Sequence, residues 1–316
     1  MLKVTIDWLV YKIIGMPKGA IFSEAVDFFL YDTIKIFFLL IFIIFIVSII
    51  RTFFSPEKTR AILTRKKTYA GNILAALLGI VTPFCSCSAV PLFLGFVEAG
   101  VPLGVTFSFL VASPMINEVA LVMLWGLFGW KIALLYIGSG LVVAIISGIV
   151  IGYLRVEDLV EKFDHKKPGC AGPGIVMSAQ NRIEFAKEYT SDILKKIWIY
   201  VVIGIGLGAW IHGYVPADFL ARFAGRDNWF AVPLATLVGI PLYSNAAGVI
   251  PLLSALTEKV VAMGTALSFM MAVTALSLPE FLILRRVMKL KLLIIFASVV
   301  GIGIIFTGYL FNFILR

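Results

Sequence analysis

Long apolar stretches, separated by short polar loops, make up most of the chain. A helix needs about 20 apolar residues to cross a bilayer, so the longest stretches predict full transmembrane helices. These are residues 33–51, 103–124, 131–154, 193–211, 263–284 and 291–314. Shorter apolar stretches occur at about 70–83, 86–99, 230–243 and 246–257, and they predict either short tilted spans or re-entrant hairpins. The pattern is typical of an all-α integral membrane protein.

The same series of elements occurs twice along the chain. Without a gap, residues 21–154 align with residues 181–314, a shift of 160 positions. The identical pairs include residue types that an apolar background does not match freely: Glu24 with Glu184, Asp32 with Asp192, Pro56 with Pro216, Gly79 with Gly239, Gly104 with Gly264, and Gly148 with Gly308. Such a period indicates a duplicated architecture. We therefore divide the chain into an interfacial N-terminal segment (1–20), a first transmembrane repeat (21–154), a linker (155–180) and a second repeat (181–316).

The composition agrees with lipid as the solvent of this bundle. Hydrophobic residues make up 61% of the 316 positions, charged residues only 14%, and the mean hydropathy is +1.03. A soluble domain carries about 25% charged residues. The net charge of +9 comes from short basic runs between apolar stretches, such as 65–67 and 285–286. These runs are typical of cytoplasmic loops, and they argue against a nucleic-acid partner.

The basic loops also predict how the two repeats are oriented. Residues 51–67 contain six basic residues and one acidic residue, whereas the matching loop 211–229 contains two of each. Residues 285–291 contain four basic residues, and their match, 125–131, contains only Lys131. A loop that is basic in one repeat is thus nearly neutral in the other, as inverted repeats require under the positive-inside rule. We expect about ten transmembrane segments with broken or short helices, or alternatively six spans with two hairpins, in the inner membrane with the central linker cytoplasmic.

A polar interruption at residues 82–88 is the first candidate solute site. Pro83 breaks the apolar run, and Cys85, Ser86, Cys87 and Ser88 follow it. Irregular backbone at membrane depth must face protein or a cavity, so this stretch is expected to line the bundle interior. On a regular helix the two cysteines would point about 200° apart, whereas in an unwound stretch they could face one side and bind a soft metalloid. The alternative is that both are small buried residues.

The second repeat carries a matching interruption. Pro241 again breaks an apolar run, and Ser244 and Asn245 follow, with Asn245 at the position that corresponds to Cys85. Polar breaks at corresponding places in two repeats indicate a transport site. Ordinary hydrogen bonding between helices by Ser and Asn is the alternative interpretation.

Two acidic residues within predicted spans are candidates for proton coupling. Glu118 follows Pro114 and Asn117 in the span 103–124, and Glu280 follows Pro279 in the span 263–284. An ionisable residue inside the membrane is costly and usually functional. The sequence shows no nucleotide-binding motif, no dinucleotide fingerprint and no metalloprotease motif, and both histidines fall in loops. We therefore expect neither an enzyme nor a bound cofactor or metal, and the oligomeric state stays open.

The motifs at 82–91 (TPFCSCSAVP), 113–118 (SPMINE) and 239–245 (GIPLYSN) resemble those of the predicted permeases of the YraQ/ArsP type. The resemblance covers nearly the whole chain. It implies a duplicated permease bundle of the inner membrane, and it carries over to Cys85, Cys87, Asn117 and Glu118 as motif positions. Some members of that family export trivalent organoarsenicals.

Three functions are compatible with these features. The first is a secondary permease for a small solute, such as a proton-coupled exporter of trivalent arsenicals or another thiol-reactive species. The second is a permease for a small sulfur compound or another anion, which helix N-termini would hold. The third is a membrane redox protein that uses Cys85 and Cys87 as a dithiol.

Overall fold

The computed structural model describes residues 2–17, 20–53, 68–82, 86–98, 100–160, 179–214, 228–242, 249–250, 261–285 and 287–315. The helices of these ranges are α1 (Leu2–Trp8), α2 (Ile21–Phe53), α3 (Thr68–Val81), α4 (Ser86–Glu98), α5 (Leu103–Met115), α6 (Glu118–Phe128), α7 (Trp130–Tyr153), α8 (Ala179–Tyr214), α9 (Ala231–Gly239), α10 (Met263–Ala275), α11 (Leu278–Leu284) and α12 (Leu290–Ile314). A π-helical turn, Leu9–Ile13, continues α1. The all-α prediction for a membrane protein is confirmed.

Several of these helices are long and apolar enough to cross a membrane. Within the described ranges they are Trp130–Tyr153, Met263–Leu284 taken across its break, and Leu290–Ile314. A fourth span results if Leu103–Met115 and Glu118–Phe128, which meet at an angle of 45°, are counted together. The expected total of about ten segments stays a prediction, because the stretch at 246–257 lies almost wholly outside the described residues.

The short helix α3 shows how lipid reverses the usual pattern of burial. Large side chains, including Leu74 and Leu77, are exposed, whereas the opposite face is buried and carries Asn72, Ala75, Ala76 and Gly79. Lipid tails solvate large apolar side chains as well as a protein core does. Small residues therefore collect where transmembrane helices approach one another closely.

Helices α5 and α10 form the centre of the bundle. Every residue of α5 is buried, and so is every residue of α10 after Met263. Helix α5 packs against α3, α4 and α7, helix α10 packs against α9 and α12, and α5 and α10 contact each other. The pairs α7 with α12 and α2 with α8 also join the two halves. The rings of Phe107 on α5 and Phe296 on α12, one from each half, lie 5.6 Å apart.

The helix bounds recur at a spacing of 160 residues. Helix α10 begins and ends 160 residues after α5, and α11 and α12 begin 160 residues after α6 and α7. The close contacts recur as well. A Cβ on Gly79 would meet the Cβ of Ala112 at 3.0 Å, and a Cβ on Gly239 would meet that of Ala272 at 2.9 Å. Residues that stand 160 positions apart are therefore structural counterparts, and we refer to them by that word.

Two details differ from the sequence-based boundaries. Helix α2 begins before the predicted span 33–51, because it is continuous from Ile21 to Phe53. At about 1.5 Å per residue its 33 residues extend roughly 50 Å, longer than the apolar thickness of a bilayer. The span 103–124 is in turn divided into α5 and α6 by a break at residues 116–117.

Candidate functional site

Two helix breaks lie at corresponding places in the two halves. Ile116 and Asn117 separate α5 from α6, and their counterparts Leu276 and Ser277 separate α10 from α11. Ile116, Leu276 and Ser277 are buried, while Asn117 is partly exposed. Broken helices at matched positions are the arrangement in which secondary transporters hold their solutes.

The first break begins at Ile116, two residues after Pro114. Pro114 lies inside α5, and the helix continues because the Ile116 amide still bonds to the Ala112 carbonyl at 2.9 Å. Asn117 then takes an extended conformation, with φ −113° and ψ 158°. Its Oδ1 accepts a hydrogen bond from the Ala120 amide at 2.7 Å, so Asn117 caps α6.

A hydrogen bond connects the second break to the end of α9, just before Pro241. The amide of Leu278, the first residue of α11, donates to the Ile240 carbonyl at 2.8 Å, just after the end of α9. Pro279 occupies the first turn of α11, where a missing amide hydrogen costs nothing. Pro241 follows Ile240 and is exposed. Pro241 and Pro279 thus both lie at helix ends.

Tyr136 on α7 connects the two breaks. Its hydroxyl donates to the Met115 carbonyl at 2.9 Å, at the end of α5, and it lies beside the side chain of Thr274 near the end of α10. Tyr136 is only 1% exposed, and Gly140, one turn further along α7, packs against Ile116 of the first break. One buried hydroxyl therefore contacts both breaks at once.

The two candidate acids have different surroundings. Glu280, in the first turn of α11, is 1% exposed, and both of its carboxylate oxygens are buried. Glu118 begins α6 and is exposed on the surface of the bundle, and its depth within the membrane stays a prediction. The break places Glu118 at a helix N-terminus, where the α6 axis turns away from α5. The structure therefore separates two residues that the sequence treats as similar.

Much of the cysteine-containing segment lies outside the described residues. This applies to Pro83 and Cys85, and to Ser244 and Asn245 in the second half. Ser86, Cys87 and Ser88 form the first turn of α4, of which only the backbone is described. Helix α4 packs against α5, which ends at the first break, and against α11, which carries Glu280. Among the described residues no three His, Cys, Asp or Glu side chains form a metal-binding group.

Sequence reasoning did not identify Ser277, Thr274 or Tyr136 as site residues. The internal alignment contained the signal for the first two, since Ser277 is the counterpart of Asn117 and Thr274 that of Pro114. Tyr136 carries no comparable signal, because its counterpart is Phe296 and its neighbours on α7 are apolar.

The chain matches a family model over residues 21–313, and the model describes a predicted permease, ArsP_1. It is 23% identical over 313 residues to UPF0718 protein MJ0584 of Methanocaldococcus jannaschii, with 78% of this chain and 83% of that protein covered. It is 23% identical over 249 residues to UPF0718 protein YraQ of Escherichia coli, with 76% and 67% covered. No solved structure matches the chain.

A further relative is named as the putative two-component membrane permease complex subunit of Streptococcus mutans. The identity is 26% over 205 residues, which cover 61% of this chain and 64% of that protein. The family model spans nearly the whole chain and describes a permease, as does the name of the Streptococcus mutans relative, rather than an enzyme. The chain therefore belongs to the predicted permease family of the YraQ/ArsP type.

Proposed function

We propose that the protein is a secondary permease that moves a small solute past the two helix breaks at 116–117 and 276–277. The observation that carries this proposal is the pair of matched breaks, joined by the Tyr136 hydroxyl. A break frees backbone groups inside the membrane, and such groups persist where they bind a solute or are satisfied by protein. The equal spacing of helix bounds supports two repeats, which the charge pattern of the loops favours as inverted.

The solute that best fits the sequence is a thiol-reactive species, such as a trivalent arsenical. Cys85 directly precedes α4 and Cys87 lies in its first turn, and α4 packs against one helix at each break, α5 at the first and α11 at the second. Thiolates bind soft centres, and exchange between two thiols would let the solute move on. We assign export, with the protein in the inner membrane and residues 155–180 on the cytoplasmic side.

Resistance to a trivalent organoarsenical in a sensitive host tests this assignment. The double substitution Cys85→Ser with Cys87→Ser should abolish the resistance that the wild-type protein confers. Cys170→Ser, which changes the one remaining cysteine in the linker, is the matched control and should leave resistance unchanged. Equal resistance of the double variant and the wild type, at equal amounts in the membrane, would refute the metalloid mechanism.

We assign proton coupling to Glu280 rather than Glu118, because a buried carboxyl group exchanges its proton with the transport path instead of with bulk solvent. Glu280→Gln should remove the dependence of transport on a pH gradient in inverted membrane vesicles. Glu118→Gln is the comparison, since the same chemical change falls on an exposed side chain. Retained gradient dependence in Glu280→Gln would exclude Glu280 as the coupling group.

Tyr136→Phe tests whether the link between the breaks matters for transport. Its counterpart Phe296 is buried in an equivalent helix, so phenylalanine fits this position without a loss of volume. We expect slower transport by a protein that folds and inserts normally. Wild-type transport rates would show that the hydroxyl has only a local role.

The name of the Streptococcus mutans relative suggests that a second subunit assists transport. We propose that this protein also works with a membrane partner. Purification in a mild detergent from its natural membrane, followed by mass spectrometry, should recover such a subunit in stoichiometric amount. Recovery of this chain alone would count against a two-component permease.

A further inference from the structure

Two buried polar side chains lie in the first half, well away from the breaks. Asn72 on α3 is 1% exposed and Ser108 on α5 is fully buried. In the part of the chain that the structure describes, neither amide atom of Asn72 nor the Ser108 hydroxyl has a hydrogen-bond partner. An orphaned buried polar group costs about 1–3 kcal/mol, and lipid offers it no replacement partner. These groups therefore need a polar ligand.

Ser108 faces the crossing of α5 and α7. Its Oγ lies against Gly148 of α7, at the point where a Cβ on that glycine would stand, and the Gly104 carbonyl lies against the same point. Helix α3 packs against both α5 and α7. Ser108 therefore lies at the junction of three helices.

The second half shows that Asn72 faces the same junction. Val232 is the counterpart of Asn72. Its Cγ1 lies 2.5 Å from the point where a Cβ on Gly308 would stand, and the Ser268 Oγ lies 3.1 Å from the same point. Gly308 and Ser268 are the counterparts of Gly148 and Ser108. Because the two halves share the glycine contacts at Gly79 and Gly239 and at Gly148 and Gly308, we infer that Asn72 faces this junction as Val232 does.

The junction in the second half carries no such orphaned pair. Val232 is apolar, and the Ser268 hydroxyl donates to the Thr265 carbonyl at 2.9 Å. The two halves therefore share the packing of this junction, but their carboxamides differ. In the second half Asn312, one turn beyond Gly308, donates to the Thr265 hydroxyl at 3.2 Å, whereas neither amide atom of Asn72 has a partner among the described residues. Packing alone does not require this difference.

The chemistry of the pair selects the class of ligand. The Asn72 carboxamide offers both a donor and an acceptor, and the Ser108 hydroxyl can act as either. A bare cation would leave the Nδ2 donor unsatisfied, and an anion would face the Oδ1 acceptor. Water, or a neutral solute that carries hydroxyl groups, satisfies all three atoms. Uncharged trivalent arsenic hydroxides belong to this class.

The junction lies to one side of the breaks. Ser108 precedes Ile116 by eight residues, about 12 Å along α5 at 1.5 Å per residue. Asn72 precedes Thr82 by ten residues, about 15 Å along the axis of α3. Both lie toward the end at which α3 begins, directly after the strongly basic loop 51–67. Basic loops mark the cytoplasmic side.

We propose that Asn72 and Ser108 line the solute route between the cytoplasm and the helix breaks. They bind water and the hydroxyl groups of a neutral solute. This inference rests on the proposed permease function and adds a second group of polar side chains to the route of the solute.

Cysteine substitution tests the inference without any knowledge of the solute. Asn72→Cys and Ser108→Cys are compared with the counterpart variants Val232→Cys and Ser268→Cys in inverted vesicles. A charged, membrane-impermeant methanethiosulfonate is added, and peptide mass spectrometry measures each cysteine separately, so the native cysteines remain. Only thiols that reach water form the reactive thiolate, so we expect modification at least about tenfold faster at positions 72 and 108. Equal or slower modification there would overturn the inference.

Ser277→Cys, at the second break, separates this inference from the proposed function. If position 277 reacts but positions 72 and 108 do not, the breaks remain on the route and the inference fails. If positions 72 and 108 react but position 277 does not, the inference holds and the breaks lose their role. Ser108→Cys replaces one atom only, so it decides the matter even if Asn72→Cys fails to fold, which gel filtration would reveal.

Discussion

The close crossing of α5 and α7 makes Gly148→Ala the most sharply defined test of this structure. An added Cβ at position 148 would overlap the Ser108 Oγ and the Gly104 carbonyl, and it would lie 3.0 Å from the Ser108 Cβ. All three atoms belong to α5. The helix as a whole must therefore move away from α7, because two of the atoms lie on or next to its backbone and no flexible side chain can yield instead.

The size of the effect follows from the distances at the counterpart glycine. A Cβ on Gly308 would lie 2.5 Å from the Val232 methyl and 2.9 Å from the Ser268 Cβ. Carbon atoms prefer separations of about 3.5–4.0 Å, so a displacement of roughly 1 Å is needed. Overpacking of this kind typically costs about 1–3 kcal/mol. With roughly 2–4 °C lost per kcal/mol, the unfolding midpoint should fall by about 2–12 °C.

Gly138→Ala on the same helix is the matched control. Gly138 is exposed, and no atom lies within 4 Å of the Cβ that it would gain. Alanine is the better helix former by about 1 kcal/mol in water, so this variant should unfold at or slightly above the wild-type midpoint. Thermal unfolding of detergent-purified protein, followed by tryptophan fluorescence, measures all variants. Equal midpoints for Gly148→Ala and Gly138→Ala would refute the close crossing, and a stable Gly308→Ala would refute its recurrence in the second half.

Three further substitutions probe single contacts. Asn117→Ala removes the acceptor of the 2.7 Å capping bond of α6 and should cost about 0.5–2 kcal/mol in thermal unfolding, whereas Asn117→Asp should retain most of the stability. Tyr309→Phe removes a 2.7 Å hydrogen bond to the Trp229 carbonyl and should cost about 0.5–1.5 kcal/mol by the same assay. Asp27 lies in the polar first turns of α2, where burial and the nearby Asp7 carboxyl raise its pKa above 3.8. The contribution of Asp27 to stability is therefore present below pH 3.8 and is lost as the pH rises through the folded-state pKa. Asp27→Asn should therefore slow proteolysis of the N-terminal segment at pH 7, and an unchanged rate would show that α1 docks independently of this pair.

The all-α architecture could be predicted from the sequence, because hydrophobic length and glycine spacing are local properties. Gly79 and its counterpart Gly239 mark close helix contacts in both halves, as the internal identities indicated. The burial of the two acids could not be predicted. Whether Glu118 or Glu280 is buried depends on how the short helix after each break is rotated, and that rotation is set by packing against distant helices.

The polar contacts of the site were hidden for a related reason. Tyr136 is one hydroxyl in an apolar helix, and its role depends on a carbonyl 21 residues away and a threonine in the other half. Periodicity shows which face of α7 is buried, but it does not show which carbonyl a broken helix leaves free. Sites of this kind become visible only when the backbone geometry of the break is known.

The differences between counterparts indicate how a duplicated scaffold came to treat its two halves unequally. Gly79, Gly104 and Gly148 recur as Gly239, Gly264 and Gly308, since the helix crossings at these positions would open if a Cβ were added. The polar groups beside them differ: Asn72 stands opposite Val232, and Tyr136 opposite Phe296. Packing constrains the first set and leaves the second free to vary. Counterparts that differ in this way, such as Tyr136 and Phe296, mark positions at which the two halves take unequal parts in the proposed route.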